Sequence, residues 1–276
     1  MHSAYDIVVK IGSMALIRQE DGDLDYNIFS RLGNSMRPGM LLVSSGATEI
    51  GRIDYIKRNG RELGGDMEDI KTDYSAQGQS ILMENYRQFI SPQYSVRQVL
   101  VEHSHFNDAE KREHILKLLS RAPSQGAIPI INYNDPVSSE ENRKMELKKI
   151  GNGGVNVVEC VDNDETAAVI AMLVKAKTLI ILTSVDGIYQ DPKDPSTLIK
   201  EISGRSPEEL EENVQNAISC CYGASRAGAQ GAGAKLKYSL DPAKAGTHVY
   251  IASAASRLSD ILSGKAASTH IYIKNN

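Results

Sequence analysis

Seven short runs of aliphatic and β-branched residues punctuate the 276-residue chain: Asp6–Ile11, Met40–Val43, Ser95–Val101, Ile128–Ile131, Leu179–Leu182, His248–Ala252 and His270–Ile273. Each has strand length, and most are separated by stretches with helical apolar spacing. Strands that are apolar on nearly every residue need cover on both faces. The alternation therefore predicts an α/β fold, a three-layer αβα sandwich around a mainly parallel central sheet. In such a sandwich ligands gather at the carboxyl ends of the strands. Hydrophobic residues make up 41% of the chain, enough for a sizeable core, and with no Trp and three Phe that core is aliphatic. Nothing in the composition demands a boundary, so a single domain over residues 1–276 is expected.

Local signals place several helix ends. Asn107-Asp108-Ala109-Glu110 opens one helix, and Ser206-Pro207-Glu208-Glu209 supplies an N-cap, a proline at N1 and an acid at N3. Gly246 closes another. The long apolar region Thr166 to Val185 is interrupted by Lys175 and Lys177 and divides into a helix and a strand. The polar segment from Ser138 to Gly154 is the best candidate for a mobile insertion.

Composition also excludes classes of function. A net charge of −4 argues against a broad nucleic-acid surface, while leaving room for a local basic pocket. The N-terminus enters strand-like residues at Tyr5 without a signal-peptide pattern, and no uninterrupted apolar stretch predicts a membrane span, so a soluble protein is expected. Cys160, Cys220 and Cys221 lack the spacing of a zinc site or a disulfide framework and suggest reduced thiols in a cytoplasm. His103-Ser104-His105 sets two imidazoles on one side of a strand, without a third metal ligand.

The chemistry-bearing residues cluster where strands end. Val8-Val9-Lys10-Ile11-Gly12-Ser13 carries a cation into a small-residue turn suited to phosphate oxygens, or is an ordinary turn after an exposed lysine. Leu42-Val43-Ser44-Ser45-Gly46-Ala47 leads into a helix from about Thr48, whose N–H groups can receive an anion, although by itself the segment is better explained as a tight connection. Ile130-Ile131-Asn132-Tyr133-Asn134-Asp135-Pro136 ends in amides and an acid fit for an amino acid, or for Asx turns. Thr183, Ser184 and Tyr189 in Leu182-Thr183-Ser184-Val185-Asp186-Gly187-Ile188-Tyr189 offer nucleotide contacts within a turn-forming segment. Gly228-Ala229-Gln230-Gly231-Ala232-Gly233-Ala234-Lys235 can fold over phosphates or form a surface loop. Val161-Asp162-Asn163-Asp164-Glu165 crowds acids before an apolar helix, as a cap or as an active-site cluster.

In this order the segments VVKIGS, VSSGA, PIINYND, VDND, ILTSVDGIY and GAQGAGAK resemble the glutamate 5-kinases of the amino-acid kinase family. Their pattern runs VVKxGS, VSSGA, PIINEND, GDND, LLTDxDGLY and GTGGMxTK. Ala76-Gln77-Gly78-Gln79-Ser80 adds to the likeness, which extends over nearly the whole chain. The resemblance implies that Lys10 and Lys235 contact the transferring phosphoryl group and that Asp164 orients both lysines. Gly12 and Ser13 would line the phosphate path. Ser45, Asp135 and Asn163 would bind the substrate, with Gly46, Ala47, Asn132 and Asn134 nearby, while Asp162 chiefly caps the helix. Thr183, Ser184 and the segment Ala229, Gln230, Gly231, Ala232, Gly233, Ala234 and Lys235 would receive ATP.

It further implies phosphorylation of the γ-carboxylate of L-glutamate or a similar small acid, the first step of proline biosynthesis. ATP would be the cofactor, with Mg²⁺ held mainly through the nucleotide phosphates and no protein metal site. The N-terminal half would serve mainly the amino acid and the C-terminal half mainly ATP. A cytoplasmic homo-oligomer, dimer or tetramer, without nucleic-acid or membrane partners, completes the expectation. Many glutamate 5-kinases also carry a C-terminal PUA domain, for which these 276 residues show no pattern after the kinase-like region. Departures keep two rivals open: a related kinase acting on another carboxylate or phosphate, and a silent ligand-binding homologue. Tyr133 stands where the family has an acid, Ser184 replaces the acid after Thr183, Gly228 to Lys235 is altered, and the stretch from Asp135 to Asp162 is longer.

Overall fold

The computed structural model describes residues 5–138, 144, 146–148, 157–160, 163–221 and 230–274. Eight strands form one sheet: β1 (Ile7–Ile11), β2 (Met40–Ser44), β3 (Ser95–Val101), β4 (Ala127–Tyr133), β5 (Thr178–Thr183), β6 (Glu201–Gly204), β7 (His248–Ser253) and β8 (Ser268–Ile273). Their spatial order is β3-β4-β2-β1-β5-β7-β8-β6, and every neighbouring pair is parallel except β7 with β8. The seven expected strands are therefore present within a residue or two of their expected ends. β6 was not foreseen, because this short strand at the sheet edge buries only Ile202 and Gly204 and carries no apolar run.

Helices cover both faces. On one side lie α1 (Tyr26–Ser35), α2 (Ala47–Asn59), α3 (Met67–Phe89) and, near the end of the chain, a short helix at Leu258–Leu262; they pack with Val9, Leu42, Ile130 and Ile180. The other side holds α4 (His103–Asn107), α5 (Ala109–Arg121), α6 (Asn163–Leu173), α7 (Pro207–Cys221) and α8 (Gln230–Lys244), packed with Val8, Val43, Ile131, Ile181 and Val249. The Leu258–Leu262 helix is α9. Odd and even residues of each strand thus enter different cores, as the two-residue period requires.

The expected helix ends have visible causes. Asp108 accepts from the N–H groups of Glu110 and Lys111 at the start of α5. Ser206 accepts from Glu209 N–H at the start of α7, where Glu209 in turn reaches Arg205 N–H. Gly246, at φ +92°, follows α8. His103 and His105 belong to helix α4, not to a strand: Glu102 ends the extended run and caps the helix, with His105 Nδ1 accepting from Glu102 N–H at 2.9 Å. The candidate insertion from Ser138 to Gly154 lies mostly outside the described residues.

Two glycines set the position of α3. A Cβ at Gly78 would stand 1.8 Å from the carbonyl oxygen of Ala47, and one at Gly51 would stand 1.8 Å from that of Tyr74. Only bare backbone lets α2 and α3 cross so closely, and the crossing carries Gln79 over the carboxyl end of the sheet. Gly78→Ala is expected to cost about 3 kcal/mol of unfolding free energy in urea, the upper end of what overpacking costs. Gly64→Ala, which meets nothing within 4 Å, should leave the midpoint unchanged.

Candidate active site

Strand parity aims Lys10 at the α6 layer. Val8 faces the core beneath α6, so Lys10, two residues on, points the same way at the carboxyl end of β1. Asp164 lies in the first turn of α6, where the free N–H groups and the positive dipole end favour an anion. Lys10 Nζ lies 2.6 Å from Asp164 Oδ1, and Lys235 Nζ, from the second turn of α8, lies 3.1 Å from Oδ2. Lys235 also donates to the Gly231 carbonyl at 3.2 Å. Lys10 and Asp164 are only 6% and 4% exposed, so these two charges hold each other away from water, with the partly buried Lys235 beside them. Burial pushes the Asp164 carboxyl up, but the attraction of Lys10 and then Lys235 outweighs it and leaves the group below the ordinary carboxylate range.

A second network adjoins the first. Asn163, next to Asp164, donates from Nδ2 to Ser45 Oγ and to Asn132 Oδ1, both at 3.0 Å. Asn132 Nδ2 donates to Gln79 Oε1 at 2.7 Å, and Asn132 Oδ1 accepts from Tyr133 N–H at 2.9 Å. That backbone donor decides every amide orientation in the chain of contacts. Because Tyr133 N–H must meet an oxygen, Asn132 presents its NH₂ to Gln79 and its oxygen to the NH₂ of Asn163. Gln79 Nε2 and Asn163 Oδ1 are then left buried without a partner, one donor and one acceptor. Gln79 is only 8% exposed.

Other expected residues lie at the ends of β1, β2 and β5 and at the start of α8. Gly12 N–H donates to Leu182 O, and Ser45 N–H to Ile11 O, so the ends of β1, β2 and β5 are tied together. A Cβ at Gly12 would come 3.8 Å from Lys10 Nζ, so glycine leaves the approach to that ammonium open. Ser13 begins a 3-10 turn, Ser13–Leu16, and Gly46, at φ +107°, starts α2 with Ala47 as its first residue, one position earlier than expected. Thr183 closes β5, and Ser184 is exposed beyond it. Gln230, Gly231, Ala232, Gly233 and Ala234 form the first turns of α8, so this part of the glycine-rich segment is helix and not loop. Ala229 and Asp162 lie outside the described residues.

Asn134 is not brought to the lysines: its Nδ2 donates to Glu102 Oε1 at 2.8 Å. Asp135 follows in the turn 135–137. Tyr133 is buried, its hydroxyl 2.7 Å from Ser138 Oγ and 3.4 Å from His103 Nδ1, and His103 Nε2 pairs with Glu146 Oε2 at 2.8 Å. Cys160 is buried and Cys220 exposed. Gln79 belongs to the Ala76–Ser80 segment of the resemblance, which assigns it no role, yet it joins this network. Its signal was a polar side chain in a buried helical stripe with Ser75, Leu82 and Tyr86. Among the described residues no three His, Cys, Asp or Glu side chains gather as metal ligands, and no helix is long and apolar enough to cross a membrane.

The model of the amino acid kinase family matches residues 7–253, from the first strand to the end of β7. The chain belongs to the amino acid kinase family. Among relatives of this kinase, the glutamate 5-kinase of Clostridium perfringens (strain 13 / Type A) is 30% identical, over 97% of this chain and 95% of that protein. The glutamate 5-kinase of Nocardia farcinica is 32% identical over 95% of this chain but 66% of that protein, so the chain spans about two thirds of that relative. Among solved structures, carbamate kinase from Giardia lamblia bound to AMP-PNP shares the fold with a TM-score of 0.58, at 17% identity over 99% of this chain and 100% of that one.

In this amino acid kinase the ion triad has a measurable stability. Asp164→Asn leaves two lysine ammoniums facing an amide and is expected to lower the unfolding free energy at neutral pH by about 3 kcal/mol. Because the folded carboxyl titrates below its unfolded value of about 3.9, the unfolded chain takes up the proton first on acidification. The difference between wild type and variant should therefore be complete above that pH and shrink as pH falls through the folded value. Urea titrations at neutral and acid pH check both the size and the sign.

Proposed function

We propose that this kinase transfers the γ-phosphoryl group of ATP to the side-chain carboxylate of L-glutamate, giving L-glutamyl 5-phosphate, the first step of proline biosynthesis. The observation that carries the reading is the adjacency of two unlike devices. A carboxylate-organised lysine pair stands beside an amide network that keeps one donor, Gln79 Nε2, and one acceptor, Asn163 Oδ1, unsatisfied. The lysines suit a transferring phosphoryl group. The spare donor and acceptor suit the carboxylate and ammonium of an α-amino acid. The similarity to glutamate 5-kinases supports glutamate as that amino acid.

The reaction needs no general base. A glutamate side chain has a pKa of about 4.3, so its oxygen is already a nucleophile at neutral pH. A carboxylate oxygen bonds to the γ-phosphorus while the bond to the β–γ bridging oxygen breaks, and that electron pair leaves on ADP. The obstacle is repulsion between an anionic nucleophile and a polyanionic nucleotide, which Lys10 and Lys235 offset from fixed positions. Both Asp164 oxygens are engaged by the lysines, so Asp164 positions cations and neither takes a proton nor binds a metal directly. Mg²⁺ held through the nucleotide phosphates would supply further charge neutralisation there. Gly12, Ser13, Thr183, Ser184 and the start of α8 face the nucleotide, and Ser45, Asn132, Asp135 and Asn163 the amino acid, in a cytoplasmic homo-oligomer.

Tyr133 favours a second reading. Its ring fills the position where the glutamate 5-kinase pattern has an acid, and its hydroxyl is engaged by Ser138 and His103. The same transfer to another carboxylate or phosphate acceptor would keep the triad and change only that wall.

Formation of glutamyl hydroxamate in ATP, Mg²⁺ and hydroxylamine, compared with aspartate and N-acetylglutamate, separates the readings. Product with glutamate is expected; product confined to another acceptor rejects the assignment. Lys10→Ala and Lys235→Ala should each lower turnover about 10²- to 10³-fold with the fold retained. Gln79→Met should raise KM for the amino acid about 10- to 100-fold, the effect of losing a hydrogen bond to a charged group, and change kcat less. Unaltered KM in that variant contradicts the role given to Gln79.

A further inference from the structure

A cleft of about 590 Å³ opens between α1 and the turn from β7 into α9, lined among others by Asp25, Ser30, Arg31, Asn34, Ala255 and Arg257. Its size suits a small metabolite. None of the residues given to the active site lines it. Lys10 and Asp164 face the α6 side of the sheet, whereas α1 and α9 pack on the opposite face.

The charges in this cleft are unbalanced. Elsewhere on the molecule Arg18, Arg52 and Arg58 each hold a carboxylate. Arg31 and Arg257 have no such partner among the described residues. Arg31 donates from Nη1 to the Ala254 carbonyl at 3.1 Å, which anchors this half-buried side chain at the cleft, and its other N–H groups have no partner among the described residues. The single lining carboxylate, Asp25, is turned to the backbone of α1, accepting from Asn27 N–H and Ile28 N–H. Two guanidinium groups against one committed carboxylate make a local positive well in a chain of net charge −4. A planar guanidinium fork fixed at one corner is pre-organised for bidentate capture of an oxyanion.

We propose that this cleft is a second binding site, separate from the phosphoryl-transfer site, that takes a small multivalent oxyanion between Arg31 and Arg257. Phosphate esters and polycarboxylates share the required chemistry.

Calorimetry on the full chain with pyrophosphate and with citrate, both without Mg²⁺, tests the proposal and separates the two sources. At least one probe should bind one to one, with an affinity that falls as salt rises. Lys10→Ala, which disturbs the phosphate path of the active site, should leave this binding intact, whereas Arg31→Gln/Arg257→Gln should weaken it about tenfold or more. Preference for pyrophosphate assigns a phosphate-bearing ligand, and preference for citrate a polycarboxylate. Should the double variant fail to fold, Arg257→Gln alone suffices, because that exposed side chain holds no other part of the fold; it should weaken binding at least about threefold. No binding of either probe up to about 10 mM, binding unchanged in the arginine variants, or binding lost only in Lys10→Ala would overturn the proposal.

Discussion

One aspartate shared between two lysines is the constraint around which the site is arranged. Lys10 and Asp164 are nearly inaccessible to water, and an isolated charge at either position would cost several kcal/mol. Each is tolerated because the others are present, and the group is assembled from three distant parts of the chain: the end of β1, the first turn of α6 and the second turn of α8. The parallel register of β1 with β2 and β5 fixes the depth of Lys10, and the start of α6 fixes the carboxylate. Charge placed this way is fixed before any ligand arrives, the pre-organisation that the proposed phosphoryl transfer would use.

The amide network extends the same logic to the neutral end of the site. A single backbone donor, Tyr133 N–H, orients Asn132, and through it Gln79 and Asn163. Asn163 and Asp164 are consecutive, so one helix start serves both the cation pair and the amide chain. The close crossing of α2 and α3 at Gly51 and Gly78 is what brings Gln79 within reach. Packing, polar satisfaction and recognition are therefore one problem at this edge of the sheet.

Most of this was legible in the sequence because it rests on short-range patterns. Apolar strands ending in small or polar residues announced both the sandwich and the edge at which side chains would meet, and the six ordered motifs gave Lys10, Asp164 and Lys235. What escaped was set by tertiary geometry. Gln79 lies in the middle of a helix, and its role depends on where α3 crosses α2. Asn134 belonged to the right motif, yet it lies just past the end of β4, where strand alternation no longer sets its direction and Glu102 holds its amide. β6 lacks an apolar run because it sits at the sheet edge, and the histidines of α4 lie just past a strand end that only the Glu102 cap defines. The glycine-rich segment resembles a loop in composition, but from Gln230 its described residues are helical.

The central claim is that Asp164 remains an anion because two lysines hold it so in a dry site. Titration of its side-chain carboxyl carbon by NMR measures this directly. The account predicts a folded pKa below the ordinary value of about 3.9, rising in a Lys10→Met variant as the larger of the two attractions is removed and burial remains. An ordinary pKa in the wild type, or one unmoved by Lys10→Met, would contradict it.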